Sequence, residues 1–499
     1  MKKGFVYLAG AGPGDPELIT VKALNALAQA DCIIYDFLAN PALVEGYACE
    51  KIYVGKKGGD HTLPQEGINE LIIQKAREGK TVVRLKGGDP FIFGRGGEEA
   101  EDLVEAGIPF AIIPGISSFY GAPAYAGIPV THRDFAHAME IITGHRREDA
   151  ADGEDVNFPE YDSDRTFVFL MGVKNLAHIT DSLINKKQFP QETPVALISW
   201  GTRPEQRVVT GTLQDIAAKV EKENIKPPSI IIVGGVVTLR EKLRWFDNQP
   251  LFGKKIVVTR TRKQSSKLSQ QLSRLGAAVI EFPTIEIQPQ QDLSLLETAI
   301  RNLRDFAWLF FTSQNAVSIF FEKLFSMGLD ARALGSVKIA AIGPATGDEL
   351  IKYGLKPDLV PKEFVAESLL DAARSLKLAG STVLLPCARE ARSVLSDGLQ
   401  QLGATVERIN IYETVKPENR EPETIARVQE ADLITFTSSS TARNFFSLIP
   451  SVQAELASIG PITSQTIREL GYAPAFEAAE YTIDGLVKAI TEHYANSPG

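Results

Sequence analysis

Along the first 130 or so residues, short apolar runs alternate with stretches of helical spacing, and that alternation leaves few folds open. Phe5-Val6-Tyr7-Leu8, Cys32-Ile33-Ile34-Tyr35 and Thr81-Val82-Val83-Arg84-Leu85 read as strands. Between them, residues 18–30 carry apolar positions at helical spacing. Ile68, Leu71, Ile72 and Ala76 form the stripe of a helix that Thr62 can cap and Gly79 ends, and an acidic helix follows over 98–106. Strand–helix alternation of this kind predicts an α/β fold whose largely parallel sheet is covered on both faces. The polar stretch 146–164, poor in apolar residues, reads as an exposed, mobile loop.

Near Trp245-Phe246-Asp247-Asn248-Gln249-Pro250 the pattern breaks, and Lys255-Ile256-Val257-Val258-Thr259 begins again as a strand. From there the chain loosely repeats itself. Leu385-Pro386-Cys387-Ala388-Arg389 echoes Val258-Thr259-Arg260, Phe436-Thr437-Ser438 echoes Phe311-Thr312-Ser313, and Ile459-Gly460-Pro461 echoes Ile342-Gly343-Pro344. A spacing near 120 residues is about domain size, so the C-terminal half reads as two similar α/β units, a common way to build a cleft. The expected organisation is residues 1–245, in lobes of about 1–115 and 116–245, a linker at 246–253, and residues 254–499.

Composition bears mainly on partners. With 53 Lys plus Arg against 62 Asp plus Glu, the 499-residue chain carries a formal charge of -9, which weighs against a nucleic-acid partner. No apolar run approaches the roughly 18 residues of a membrane span. The N-terminus lacks a signal-peptide core, and Cys32, Cys49 and Cys387 are too few and too scattered for a disulfide framework. A cytoplasmic protein with no membrane partner is expected. The six histidines show no H-x-x-x-H pair and no metal-ligand cluster, so no metal is expected.

Three loops stand out. Gly10-Ala11-Gly12-Pro13-Gly14-Asp15-Pro16 follows a strand and precedes a helix, which suits backbone N–H groups facing a ligand. It invites a nicotinamide-dinucleotide reading, with Asp36 near the ribose-binding distance. However, Asp15 replaces the third glycine of that fingerprint, and two prolines remove donors. The second loop, Leu85-Lys86-Gly87-Gly88-Asp89-Pro90-Phe91-Ile92-Phe93-Gly94-Arg95-Gly96-Gly97-Glu98-Glu99, packs five glycines into eleven residues. Glycines let backbone approach a bound molecule closely, and Arg84, Lys86 and Arg95 can meet ligand carboxylates. The third loop is Pro114-Gly115-Ile116-Ser117-Ser118, and Gly127-Ile128-Pro129-Val130-Thr131-His132-Arg133 comes soon after.

On these motifs residues 4–244 resemble the uroporphyrinogen-III C-methyltransferases of the tetrapyrrole methylase superfamily. The resemblance implies a two-lobed α/β fold, a homodimer, and methylation of two β-pyrrolic carbons with S-adenosylmethionine as donor, giving precorrin-2. Carried over by motif, Pro13, Gly87, Gly88, Asp89, Ile92, Ser117, Ser118, Met171 and Gly201 would bind the donor. Asp36 would accept a proton, Lys56 would donate one, and Arg95 and Arg133 would meet substrate. The family usually has Arg after the aspartate, where this chain has Phe37. Chemically, an activated methyl group needs alignment more than a metal, and a pyrrole carbon that attacks must afterwards shed a proton to a base.

In the C-terminal half, Thr312-Ser313-x-Asn315 and Thr437-Ser438-Ser439-Ser440-Thr441 follow apolar strands and open helices, offering hydroxyls and N–H groups to anions. With Val258-Thr259-Arg260 and Ile342-Gly343-Pro344-Ala345-Thr346, their order resembles uroporphyrinogen-III synthase. That resemblance implies two α/β domains with parallel sheets, about 254–286 plus 416–499 and about 287–415. It also implies cofactor-free cyclisation of hydroxymethylbilane with inversion of ring D. Arg260, Thr312, Ser313, Asn315, Arg389, Ser438, Ser439 and Thr441 would bind substrate, and Tyr412 would assist departure of the hydroxymethyl oxygen. An alternative makes this half a non-catalytic ligand-binding module regulating a corrin-pathway methyltransferase.

Overall fold

The computed structural model describes residues 4–55, 63–144, 158–259, 262–415 and 422–496. They gather into two compact units. One takes in the chain up to Lys255 with Gln270–Val279 and the chain from Thr491; the other is Ile256–Ser269 with Ile280–Ile490. Four five-stranded sheets form the frame.

The first sheet holds β1 (Phe5–Gly10), β2 (Cys32–Tyr35), β3 (Glu50–Tyr53), β4 (Thr81–Lys86) and β5 (Phe110–Ile113), ordered β3-β2-β4-β1-β5 and parallel throughout. Its strands alternate between two cores. Val6, Leu8, Cys32, Ile34 and Val82 pack on one side, while Ala9, Ile33, Val83 and Leu85 pack on the other. A parallel sheet buried on both faces follows from that pattern, as the strand–helix alternation predicted. Local expectations shift slightly. The helix after the first loop runs only Val21–Ala28, capped by Thr20 and preceded by a short Pro16–Leu18 turn. The helix carrying Ile68 and Ile72 is Gln65–Arg77, while Thr62 lies outside the described residues.

The second sheet holds β6 (Ala138–Thr143), β7 (Arg165–Leu170), β8 (Pro194–Ser199), β9 (Arg207–Thr212) and β10 (Ser229–Val233), ordered β6-β7-β10-β8-β9. Only β6 and β7 pair in parallel; β10 runs antiparallel to β7 and β8, and β9 antiparallel to β8. The short link from β8 to β9 permits only an antiparallel return. Residues 145–157 of the polar stretch lie outside the described residues, and Phe158 is buried in this lobe's core. In the segment after Arg244, Phe246 and Leu251 are buried, and Phe246 packs edge-on against Tyr125.

In the C-terminal half come β11 (Lys255–Val258), β12 (Ala278–Glu281), β13 (Glu286–Pro289), β14 (Trp308–Phe311), β15 (Lys338–Ala341), β16 (Thr382–Ala388), β17 (Thr405–Val415), β18 (Leu433–Phe436), β19 (Glu455–Ser458) and β20 (Phe476–Glu477). They form sheets β12-β11-β18-β19-β20 and β13-β17-β16-β14-β15. β11–β18, β18–β19, β19–β20, β16–β17, β14–β16 and β14–β15 pair in parallel, and the β13–β17 edge is antiparallel. The sequence repeat is a structural one. Ser313 and Ser438 cap their helices in nearly the same conformation, φ -164, ψ 155 and φ -166, ψ 160.

Candidate functional site

Every strand of a parallel sheet ends on the same edge, so the loops after β1, β2, β4 and β5 meet there. The approach is close because it is backbone on backbone. Gly12 and Gly88 exchange hydrogen bonds of 3.2 and 2.7 Å. A Cβ on Gly115 would stand 2.3 Å from the Gly88 carbonyl oxygen and 2.8 Å from the Gly10 Cα, so neither Gly10 nor Gly115 has room for a side chain. Asp89 staples two of these loops, its carboxylate accepting from Phe91 N (2.8 Å) and Gly115 N (2.9 Å).

The helix Ser118–Tyr125 gathers the remaining pieces. Pro13 lies against Gly121, and Gly201 fits against Ala122, where a Cβ would come within 2.3 Å of the alanine methyl. At the start of that helix Ser117 is buried and makes no capping bond. Gly88 faces this point at φ 67, and a Cβ there would find nothing nearer than Ser118 N at 3.8 Å. A side chain is thus not sterically barred at Gly88, and glycine backbone facing a helix N-terminus fits a small ligand with a carboxylate. Met171 and Trp200 follow β7 and β8, which flank β10 at the register of Ile230, so they stand about 10 Å apart on one edge. Non-glycine residues at positive φ concentrate in these loops: Phe93 (51), Arg95 (57), Met171 (58), Trp200 (50) and Thr202 (70). Strain held in this way marks loops kept in place by their surroundings.

Asp36, just after β2, sits beside this region, with Leu38 packed on Gly87. Its Oδ1 accepts from Leu38 N at 3.1 Å and its Oδ2 from Arg84 Nη2 at 2.9 Å. Beneath lies a buried charge cluster. Glu99 Oε1 accepts from Arg84 Nε (3.2 Å), Lys86 Nζ (2.7 Å) and Gln65 Nε2 (3.2 Å), while Glu99 Oε2 is buried with no hydrogen-bond partner. Burial pulls the Lys86 ammonium below the usual lysine range, with Arg84 adding to the effect. Here the sequence reading is corrected: Arg84 and Lys86 are not free for ligand carboxylates, because both are buried against Glu99 and Asp36. The sequence shows that a partner is needed without showing which one. Arg84 and Lys86, two apart on a strand, must share a face, and a buried face demands a carboxylate partner.

The other expected residues scatter more. Ile92 stays on the Asp89 loop, its N–H reaching the Asp89 carbonyl at 3.4 Å. Arg95 turns to Glu98 (2.6 Å), and Arg133 is exposed on the turn closed by His132 and Ala136. Lys56 and Arg260 lie outside the described residues. Phe37 is half exposed and packs edge-on against Trp200, itself stacked under the Arg203 guanidinium.

In the C-terminal half, Ser313 Oγ and the Tyr412 hydroxyl share a 2.9 Å hydrogen bond, and Ser313 also caps its helix by accepting from Ala316 N at 3.0 Å. Burial pushes the phenol up from its ordinary range, while the Ser313 and Asn315 side chains act to lower it. Arg389 N donates to the Tyr412 carbonyl at 2.8 Å, while its side chain pairs with Glu413 at 3.1 Å. Thr312, half-buried, ends the strand side of this cluster. On the counterpart helix Ser438 and Thr441 form a reciprocal capping box, and Ser439 accepts from Thr466 at 2.8 Å.

Glycine-rich loops gathered at one edge of an α/β sheet, followed by duplicated α/β lobes, define the class of fold, and comparison with known proteins gives the family. Residues 6–217 match the Tetrapyrrole (Corrin/Porphyrin) Methylases, and residues 266–488 match Uroporphyrinogen-III synthase HemD. The chain is 38% identical to the porphyrin biosynthesis protein HemD of Ruminiclostridium josui, over 99% of this chain and 98% of that one. It is 43% identical to the uroporphyrinogen-III C-methyltransferase of Bacillus subtilis (strain 168), over 71% and 72%. A crystal structure of uroporphyrin-III-C-methyltransferase from Thermus thermophilus, 38% identical, covers 49% of this chain and 99% of its own at a TM-score of 0.41. The chain belongs to the HemD family of porphyrin biosynthesis proteins, with a tetrapyrrole methylase region followed by a uroporphyrinogen-III synthase region. No helix among the described residues is long and apolar enough to cross a membrane.

Proposed function

We propose that the chain is bifunctional: residues 254–499 cyclise hydroxymethylbilane to uroporphyrinogen-III, and residues 1–245 methylate that product twice to precorrin-2. The observation carrying the first half of the reading is the backbone-on-backbone meeting of the Gly12, Gly88 and Gly115 loops at one edge of the first sheet, where Gly88 faces the N-terminus of the helix Ser118–Tyr125 and Asp36, paired with Arg84, ends the neighbouring strand. Pro13, Gly88, Ser117, Ser118, Met171 and Gly201 would hold S-adenosylmethionine, which supplies an activated methyl group. The chain's own residues do the rest. Asp36 takes the proton released at the methylated pyrrole, and Arg84 holds its carboxylate in place. Phe37 and Trp200 offer apolar surface to the pyrrole rings of the methylene-bridged macrocycle and keep water from them. A homodimer through the methyltransferase half belongs to the same reading.

Because no side chain can yield at Gly115, Gly115→Ala is expected to part the three loops. A displacement near 1 Å at a positioned site costs about 10²-fold in rate, so methylation at saturating substrates should slow by about that factor, read in a methyl-transfer assay.

In the second half the carrying observation is the buried Tyr412 hydroxyl bonded to Ser313 at a helix N-terminus. With its phenol pushed up by burial, Tyr412 stays a donor and can stabilise the departing hydroxymethyl oxygen. Tyr412→Phe keeps the packing and removes the donor. Its cyclisation kcat is expected to fall roughly 10²-fold, by analogy with loss of one oxyanion donor, with stability little changed. The whole proposal is tested by supplying hydroxymethylbilane to the purified chain. Uroporphyrinogen-III should form without S-adenosylmethionine and precorrin-2 with it; uroporphyrinogen-I alone would remove the synthase assignment.

A further inference from the structure

In each lobe of the C-terminal half an exposed aromatic ring lies on a glycine. Gly343 follows β15 and opens the helix Pro344–Lys352; Gly460 follows β19 and opens Pro461–Glu469. Neither backbone requires glycine, since φ -174 and φ 170 are extended values open to any residue. The ring above requires it. A Cβ on Gly343 would stand 3.1 Å from three Phe364 side-chain atoms, and one on Gly460 would stand 2.8 Å from Tyr481 Cδ1. Even so, the rings are not packing residues, for Phe364 is 59% and Tyr481 65% exposed.

The two rings occupy equivalent places. Phe364 and Tyr481 are 117 residues apart, as are Gly343 and Gly460. Each ring shortly precedes a helix, Ala366–Ala373 or Ile483–Asn496. Nearby bonds repeat as well: Gln314 Nε2 donates to Ala345 O at 2.9 Å, and Ser439 Oγ donates to Ile462 O at 3.4 Å, tying each Gly-Pro turn to the serine-capped helix beside it. One exposed aromatic is ordinary. Two at matched positions, each with the backbone beneath it cleared of side chain, form a duplicated platform.

We propose that Phe364 and Tyr481 are stacking platforms, each taking the face of one pyrrole ring of a carboxylate-bearing oligopyrrole. This deepens the reading of the C-terminal half and rests on it. A methylene-linked bilane presents its pyrroles as separate small rings, and offset stacking on a fixed aromatic suits each one. Because phenylalanine serves in one lobe, the Tyr481 hydroxyl is not the working group.

Two measurements on the full chain test the platforms. Tetranitromethane should nitrate Tyr481, and saturating uroporphyrin I should slow that nitration several-fold, read by peptide mass spectrometry. In steady-state cyclisation, the Phe364→Ala/Tyr481→Ala double variant should raise KM for hydroxymethylbilane about tenfold or more with kcat within about threefold, while Tyr481→Phe stays near wild type. Nitration unaffected by uroporphyrin, or an unchanged KM in the double variant, overturns the proposal. If the wild-type chain forms no uroporphyrinogen-III, the synthase reading falls, yet Tyr481 protection still decides whether the platform binds oligopyrroles.

Discussion

Asp36→Asn should lower the rate of methylation at saturating substrates by about 10²–10⁴-fold, the usual range for a positioned general base. Several features make this substitution informative. Asparagine is nearly isosteric and keeps an oxygen where Asp36 Oδ1 accepts from Leu38 N, so the turn after β2 survives. It cannot take up a proton, and it leaves the Arg84 guanidinium facing a neutral amide across the 2.9 Å contact. The loss should appear in kcat, with little change in KM for S-adenosylmethionine, because the glycine loops are untouched. Cyclisation of hydroxymethylbilane by the same preparation should stay at the wild-type rate and serve as the internal control. A loss smaller than about fivefold would take Asp36 out of the proton transfer, since even a modest general base contributes more.

What could be read beforehand depended on whether the signal was local. Asp36 and the glycine loops stand at strand ends, where period and punctuation both mark them, and all of them reach one edge of the first sheet. The repeat in the C-terminal half was legible because Phe311-Thr312-Ser313 and Phe436-Thr437-Ser438 put the same strand end before the same cap. Three features were not legible. Apolar runs specify strands without their direction, so the antiparallel β8, β9 and β10 pairings were hidden in ordinary-looking segments. Arg84 and Lys86 were read as ligand groups because their partner, Glu99, comes from a helix beyond the whole glycine loop. Phe364 and Tyr481 carry no motif; only the missing Cβ beneath each ring gives them meaning.

The largest expected effect on stability falls on that hidden partner. Glu99→Ala leaves Arg84 buried with its 2.9 Å contact to Asp36 and takes from buried Lys86 the carboxylate it meets at 2.7 Å. Removing one member of a buried ion cluster typically costs about 3–5 kcal/mol, because the surviving charges stay desolvated without their counter-ion. Urea unfolding at neutral pH should therefore show the methylase transition at much lower denaturant. The pH dependence separates this cause from simple loss of packing. In the folded wild type the Lys86 ammonium is already held below its ordinary range, and without Glu99 it is held lower still. The unfolded chain then binds more protons than the folded one, so stability rises with pH up to the ordinary lysine value, by at most about 1.4 kcal/mol per pH unit. The deficit of Glu99→Ala relative to wild type should thus shrink between pH 7 and pH 9.5, values set by the roughly 10.4 pKa of free lysine. Glu99→Gln, which keeps the volume and an acceptor, should show a smaller loss with the same slope. A deficit that stays constant across that range would mean that packing, rather than an unpaired buried cation, accounts for the loss.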